Sequence, residues 1–175
     1  MTEKLLIAYG SWAESTQEVA MKMAATIRNE KNIDVDVLPA KEVKDISSYQ
    51  GVIIGSGIRA GMFHSSIIKF LKKFRKAWGN KPGAFFICCL TMKEDTEANR
   101  KEAASYMEKL YAKVPEFKPV EVGLFGGAVN YDKLPFLFRK MFENSDEITE
   151  GDFRDWNAIN GWSLEICNAL LPQNS

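Results

Sequence analysis

Ser11, Ser15 and Thr16 place three hydroxyls in one short stretch, Ser11-Trp12-Ala13-Glu14-Ser15-Thr16. It lies between the apolar run Leu5 to Tyr9 and the start of a helical pattern. Hydroxyls beside the free amides of a first helical turn can hold a phosphate monoester without any lysine, because the positive end of the helix dipole also points there. The same residues have a purely local reading. Ser15-Thr-Gln-Glu18 has the spacing of a capping box, in which Ser15 caps the helix and Glu18 reaches back to it. Neither glycine-rich nucleotide fingerprint, GxxxxGK[ST] or GxGxxG, is present, which argues against a nucleoside triphosphate.

Two further small or polar stretches follow apolar runs. Ser56-Gly57-Ile58-Arg59-Ala60-Gly61 follows Gly51 to Gly55, and Thr91 to Asp95 follows Gly83 to Leu90. In an open parallel sheet, ligands bind outside the carboxyl ends of the strands, so three such loops would converge on one crevice.

The elements that must position these loops follow from hydropathy patterning. Residues 15–30 read as a helix with Ala20, Met23, Ala24 and Ile27 on one face. Ile33 to Leu38 alternates apolar and acidic residues, the pattern of an edge strand with one solvated side. Gly51 to Gly55 and Gly83 to Leu90 are continuous apolar runs, as in strands covered on both faces. A helix is expected from His64 to a stop at Gly79-Asn80, its buried stripe being Ile67, Leu71, Phe74 and Trp78. Another is expected over about 95–113, a last strand over 119–125, and a closing helix over about 153–171. Five strands alternating with helices predict an α/β, three-layer sandwich: a five-stranded parallel sheet with helices on both faces, in one domain spanning 1–175. The segment 129–150 breaks the alternation. Its first part, Tyr131 to Phe142, is aromatic and basic, and its second, Glu143 to Glu150, is acidic.

Lysine plus arginine and aspartate plus glutamate number 23 each, so no strong field favours nucleic acid. No apolar run is long enough to span a membrane, and no signal peptide is expected because the chain enters its first strand at once. The three cysteines show no metal-ligand spacing and suit buried thiols in a reducing cytoplasm; with His64 as the single histidine, a histidine-rich metal site is excluded. His64 is expected as a helix-start residue beside Ser65 and Ser66, and Cys88 and Cys89 as core residues.

The strand, hydroxyl loop and helix, together with Gly55-Ser-Gly-Ile-Arg-Ala-Gly-Met-Phe-His64, resemble the flavodoxin superfamily. They are most similar to its branch of menaquinone-dependent protoporphyrinogen IX dehydrogenases. The resemblance extends over nearly the whole chain, through the aromatic-basic segment to Asp155-Trp156. It implies a flavodoxin-like fold with strand order 2-1-3-4-5 and FMN as cofactor. The FMN phosphate would lie at Ser11, Trp12, Ala13, Glu14, Ser15 and Thr16, and the ring between Ser56–Gly61 and Leu90, Thr91 and Met92. Two residues depart from the pattern. Glu14 stands where glycine is usual, so its carboxylate must turn to solvent, and a positive φ there costs on the order of 1 kcal/mol. Ala60 stands where a tyrosine is common, leaving Trp12 or Phe63 to serve as a wall.

On the same resemblance, Arg59 lies along the ring, where a cation favours the reduced, anionic flavin. A surface arginine paired with an acid is the alternative. The implied activity is an FMN-dependent oxidoreductase that takes electrons from a porphyrinogen-like substrate and passes them to a quinone. The competing reading is a flavodoxin-type carrier that serves an electron-transfer protein and has no substrate of its own; balanced charge and the extra segment weigh against it. For 131–142, a quinone- or porphyrin-facing lip and a peripheral membrane contact stand beside a helix packed on the domain or at a homodimer interface.

Overall fold

Consecutive apolar residues along the strands point to opposite faces, and helices cover both faces in the computed structural model of the chain, which describes residues 3–145 and 150–171. Residues 146–149 of the acidic stretch, and the side chain of Phe142, lie outside the described residues. The strands β1 (Lys4–Gly10), β2 (Asp34–Pro39), β3 (Gly51–Arg59), β5 (Gly83–Cys89) and β6 (Val122–Gly126) run parallel, in the order β2-β1-β3-β5-β6. Counting these five in chain order gives the expected 2-1-3-4-5. Ile7 pairs with Val37 on one side and with Ile53 on the other, and Ile53 in turn with Ala84. The edge position expected for the alternating strand is β2's.

Leu5, Ile7, Ile53 and Phe86 face α1 (Ser15–Lys31) and α5 (Trp156–Leu170), where Val19, Met23, Ile27, Ile159 and Ile166 are fully buried. Leu6, Val52, Ile54 and Phe85 face α2 (Ser65–Lys73) and α3 (Glu97–Lys113), packing on Ile67, Leu71, Met107 and Leu110. Phe85 and Phe86 are adjacent and fully buried in opposite layers. Each contributes roughly 1.5–3 kcal/mol of burial, so neither layer is subordinate. The helix after β1 lies on one face and the helix after β3 on the other. The chain therefore parts above the carboxyl ends of β1 and β3 and leaves a crevice there.

Several boundaries differ from the sequence reading. The strand expected to end at Gly55 continues to Arg59, so Ser56–Arg59 is strand rather than loop. It turns through Ala60 (φ 50°) and Gly61 (φ 68°) into β4 (Met62–Phe63), which pairs antiparallel with it and adds a sixth strand to the sheet. Positive φ at both central residues is what a two-residue hairpin needs to match strand twist.

The helix expected to reach Gly79 ends at Lys73. Trp78 is still buried, because the chain turns back and its indole N–H donates to the Leu71 carbonyl at 2.9 Å, satisfying an orphan acceptor of the last turn. α3 starts at Glu97 behind the cap Thr96, and α5 at Trp156 behind Asp155, whose carboxylate accepts from the Ala158 amide at 3.0 Å. The last parallel strand begins at Val122 rather than Pro119.

The irregular segment is an excursion closed by a ribbon. β7 (Ala128–Val129) pairs antiparallel with β8 (Gly151–Asp152), and α4 (Phe136–Glu143) lies between them in sequence. Gly126 makes this exit possible: a Cβ there would sit 2.1 Å from the Phe153 carbonyl oxygen.

Candidate functional site

The hydroxyl loop leaves β1 at Gly10 and enters α1 through Glu14, which adopts a left-handed conformation (φ 66°). No capping box forms. Ser15 is the first helical residue rather than the cap, no side chain caps the helix, and the Glu18 amide bonds the Glu14 carbonyl at 2.9 Å. The Glu18 carboxylate turns instead to Lys133 Nζ at 2.9 Å and Arg154 Nη1 at 2.6 Å. The amides of Trp12, Ala13, Glu14 and Thr16 have no backbone acceptor among the described residues. They therefore stand as a cluster of donors at the positive end of α1. Glu14 turns away from them as expected: its carboxylate is largely exposed and pairs with Lys133 at 2.9 Å.

A cavity of about 430 Å³ opens beside this loop, at the carboxyl ends of β1, β3, β5 and β6. Of the residues predicted from sequence, Ser11, Trp12, Ala13, Ser15, Thr16, Gly57, Ile58, Arg59, Ala60 and Leu90 line it together. Glu14, Ser56, Gly61, Thr91 and Met92 do not. Ser56 is buried, where its hydroxyl accepts from the His64 amide at 3.0 Å and donates to the Gly57 carbonyl at 2.8 Å. The Gly61 carbonyl accepts from Lys109, Thr91 pairs with the Tyr106 hydroxyl at 2.9 Å, and Met92 is buried in the α2/α3 core layer.

The sequence reading missed Cys88, Cys89 and the wall Gly127 to Asn130, while Leu134, Phe138 and Met141 come from the segment 131–142, for which a lip was one of the alternatives. One signal was present: Gly126-Gly127 ends a parallel strand and so belongs to the same sheet edge as the other three loops. A second cavity, about 360 Å³, shares Ala13, Ser15 and Ala128 to Asn130 with the first. It is lined otherwise mostly by charged groups, among them Glu18, Lys133, Asp152 and Arg154.

The charges of the two cavities differ in kind. Around the second, Lys133 bridges Glu14 and Glu18, and Arg154 bridges Glu18 and Asp152, the latter at 2.6 Å. Lys133 and Arg154 hold the Glu18 carboxyl below its usual range, and Arg154 does the same to Asp152. In the first cavity Arg59 is the charged lining residue. Its guanidinium carbon lies 5.0 Å from the centre of the Trp12 ring and 4.6 Å from that of Phe138 on α4. Burial pulls its pKa down, and among the described residues it has no acidic partner, contrary to the surface-pair alternative.

His64 caps α2: its Nδ1 accepts from the Ser66 amide at 3.3 Å, and its ring packs 4.8 Å from that of Trp12. Burial first, then the Arg59 charge, lowers its pKa, so it is a neutral capping group outside the cavity wall. Burial pushes the Cys88 thiol up to about 12, which removes it as a nucleophile near neutral pH. The arrangement thus suits an anion on the amide and hydroxyl cluster and a flat apolar body along the rest of the cavity.

Phe136, Leu137 and Met141 of α4 are exposed, Leu137 to 80%, so α4 is not packed down on the domain along its whole face. No helix among the described residues is long and apolar enough to cross a membrane.

Comparison with known proteins agrees with this geometry. Residues 6–155 match the family model described as "Flavodoxin domain". The chain is 25% identical over 179 residues to protoporphyrinogen IX dehydrogenase [quinone] of Leishmania major, covering 97% of this chain and 76% of that protein. It is 24% identical to the enzyme of the same name from Escherichia coli (strain K12), covering 94% and 95%. Among solved structures, oxidised flavodoxin 2 from Bacillus cereus superposes with a TM-score of 0.57 at 17% identity, over 95% of this chain and 99% of that one. A Lactobacillus acidophilus flavoprotein in complex with FMN superposes with a TM-score of 0.50 at 15% identity, over 71% and 93%. With its match covering most of the sequence and its sheet order and crevice in agreement, the chain belongs to the flavodoxin domain family.

Proposed function

We propose that this single domain binds FMN in the cleft between the hydroxyl loop, the β3 hairpin and the excursion. With it the protein acts as an oxidoreductase similar to protoporphyrinogen IX dehydrogenase [quinone]. The observation that carries the proposal is the unpartnered amide cluster of Trp12, Ala13, Glu14 and Thr16, opening into a cavity of about 430 Å³ whose other walls are mostly apolar. Those donors suit the phosphate, with the Ser11, Ser15 and Thr16 hydroxyls beside them. Bound FMN supplies reversible one- and two-electron chemistry that no side chain here offers.

The chain's own residues bind, orient and shield. The loop amides receive the anion. Lys133 and Arg154 neutralise Glu14 and Glu18, which would otherwise repel it. Leu134, Phe138 and Met141 exclude water from the cavity's outer side. In the proposed reaction two electrons and two protons leave a porphyrinogen-like donor, and a quinone receives them as the quinol. The three buried thiols support a reducing, cytoplasmic setting, and the exposed apolar residues of α4 provide the surface for a quinone at the membrane face.

That same exposed face also favours the second reading, a flavodoxin-type carrier docking a protein partner. Anaerobic mixing separates the two. Reduction of the FMN-loaded protein by protoporphyrinogen and its reoxidation by a menaquinone analogue support the enzyme. Exchange with redox proteins alone supports the carrier.

A further inference from the structure

Arg59 is the charged residue in an otherwise neutral cavity wall, and among the described residues it makes neither an ion pair nor a hydrogen bond. Its cationic neighbours at the other end of the cleft are already committed: Lys133 to Glu14 and Glu18, Arg154 to Glu18 and Asp152. A guanidinium partly withdrawn from water loses hydration that only an acceptor can replace. Its planar fork of N–H donors matches the two oxygens of a carboxylate, and it stacks well on flat rings. Trp12 and Phe138 lie within cation–π reach of the group, holding it at the cavity and adding flat apolar surface beside it. Leu134 and Met141 extend that surface along the excursion.

We propose that Arg59 anchors the carboxylate of a largely apolar, ring-bearing organic substrate that lies on the α4 side of the cleft, against Phe138, Leu134 and Met141. The inference rests on the functional reading above in placing the reduced donor in the same cleft as the cofactor. A carbonyl edge of the cofactor ring is the other source of an acceptor oxygen for the same fork, and the test must tell the two apart.

The probe is 1-pyrenebutyrate beside its methyl ester, titrated calorimetrically into the FMN-loaded protein. The wild type is expected to bind the acid at least ~10-fold more tightly than the ester, as a charge-assisted bond requires. Arg59→Met removes the preference, and Arg59→Lys, which keeps the charge but not the fork, retains part of it. The midpoint potential of the bound flavin is measured for all three. Equal binding of acid and ester by the wild type overturns the inference, and so does a preference that survives Arg59→Met. A shifted potential with an unchanged acid preference assigns the guanidinium to the cofactor and overturns it too. Repeating the titration on flavin-free protein keeps the two readings separate. Failure to load FMN counts against the proposed function, while the acid preference of the flavin-free chain still decides the role of Arg59. Arg59→Gln replaces Arg59→Met should the latter lose its native circular dichroism.

Discussion

The two ends of the cleft treat charge in opposite ways. At the loop end, Glu14, Glu18, Lys133, Asp152 and Arg154 form a continuous network, and the left-handed residue Glu14 gains a partner 119 positions away in sequence (133 − 14). At the other end, Arg59 stands between aromatic rings without an anion. A network that satisfies itself is a structural clasp: it pins the excursion to the hydroxyl loop and leaves only neutral amides and hydroxyls for a ligand. An unsatisfied charge has a site's unfinished chemistry. The contrast teaches that the conspicuous cluster of charges holds the cleft together, while recognition falls to the isolated one.

The largest expected effect comes from the wall the two cavities share. Gly126→Ala would drive a Cβ against the Phe153 carbonyl, 2.1 Å away, and force the excursion off β6. A loss of about 1–3 kcal/mol is expected in urea denaturation, with weaker FMN binding at both ends of the cleft. An unchanged midpoint would show that Ala128 to Asn130 are not held as described.

Phe138→Ala is expected to cost about 0.5–1 kcal/mol in binding of an apolar carboxylate, because it removes a ring 4.6 Å from the guanidinium. Affinity unaltered by this change would detach α4 from the recognition end. Lys133→Ala should change stability little, since its side chain and those of Glu14 and Glu18 are each more than a third exposed and their pairing is screened by solvent. Its clearer signature is faster FMN release in stopped-flow exchange, together with loss of the salt dependence expected of the wild type. Identical release rates at low and high salt in both proteins would reject the clasp.

The smallest effect is on acid stability. The folded-state pKa of Glu18 is lowered from 4.5, with Lys133 the largest cause and Arg154 next. The corresponding stabilisation is therefore present above the unfolded value and lost as pH falls through the folded one. With Glu18 and its partner Lys133 largely solvated, Glu18→Gln should flatten the denaturation midpoint below about pH 4.5 by only a few tenths of a kcal/mol. A curve parallel to the wild type throughout would mean that the carboxylate carries no linked proton.

How much of this was legible in the sequence depended on how local its cause was. The parallel strands themselves followed from apolar runs such as Val52-Ile53-Ile54, while their order came only from the resemblance to the flavodoxin superfamily. The crevice at their carboxyl ends followed in turn. The hydroxyl loop was visible because Gly10 to Thr16 changes composition abruptly. The capping box failed for a reason no local pattern contains. Glu14 takes the cap position, and Glu18 is drawn to Lys133 and Arg154 from the far side of the excursion. The end of β3 was misread because Ser56-Gly57 has the composition of a loop, yet small residues fit a strand where β4 folds back on it. β7 and β8, two residues each, are too short to carry any period, so the wall they build at Ala128 and Val129 could only be seen in three dimensions.

The most direct measurement is a fluorescence titration of FMN with the flavin-free protein. Binding in a cleft walled by Trp12 and the loop amides predicts quenching of flavin emission that saturates at one FMN per chain, and Thr16→Glu, which places a carboxylate at the amide cluster, abolishes it. Emission that stays constant at every protein concentration, or quenching that Thr16→Glu leaves intact, would contradict the assignment of this cleft to a flavin phosphate.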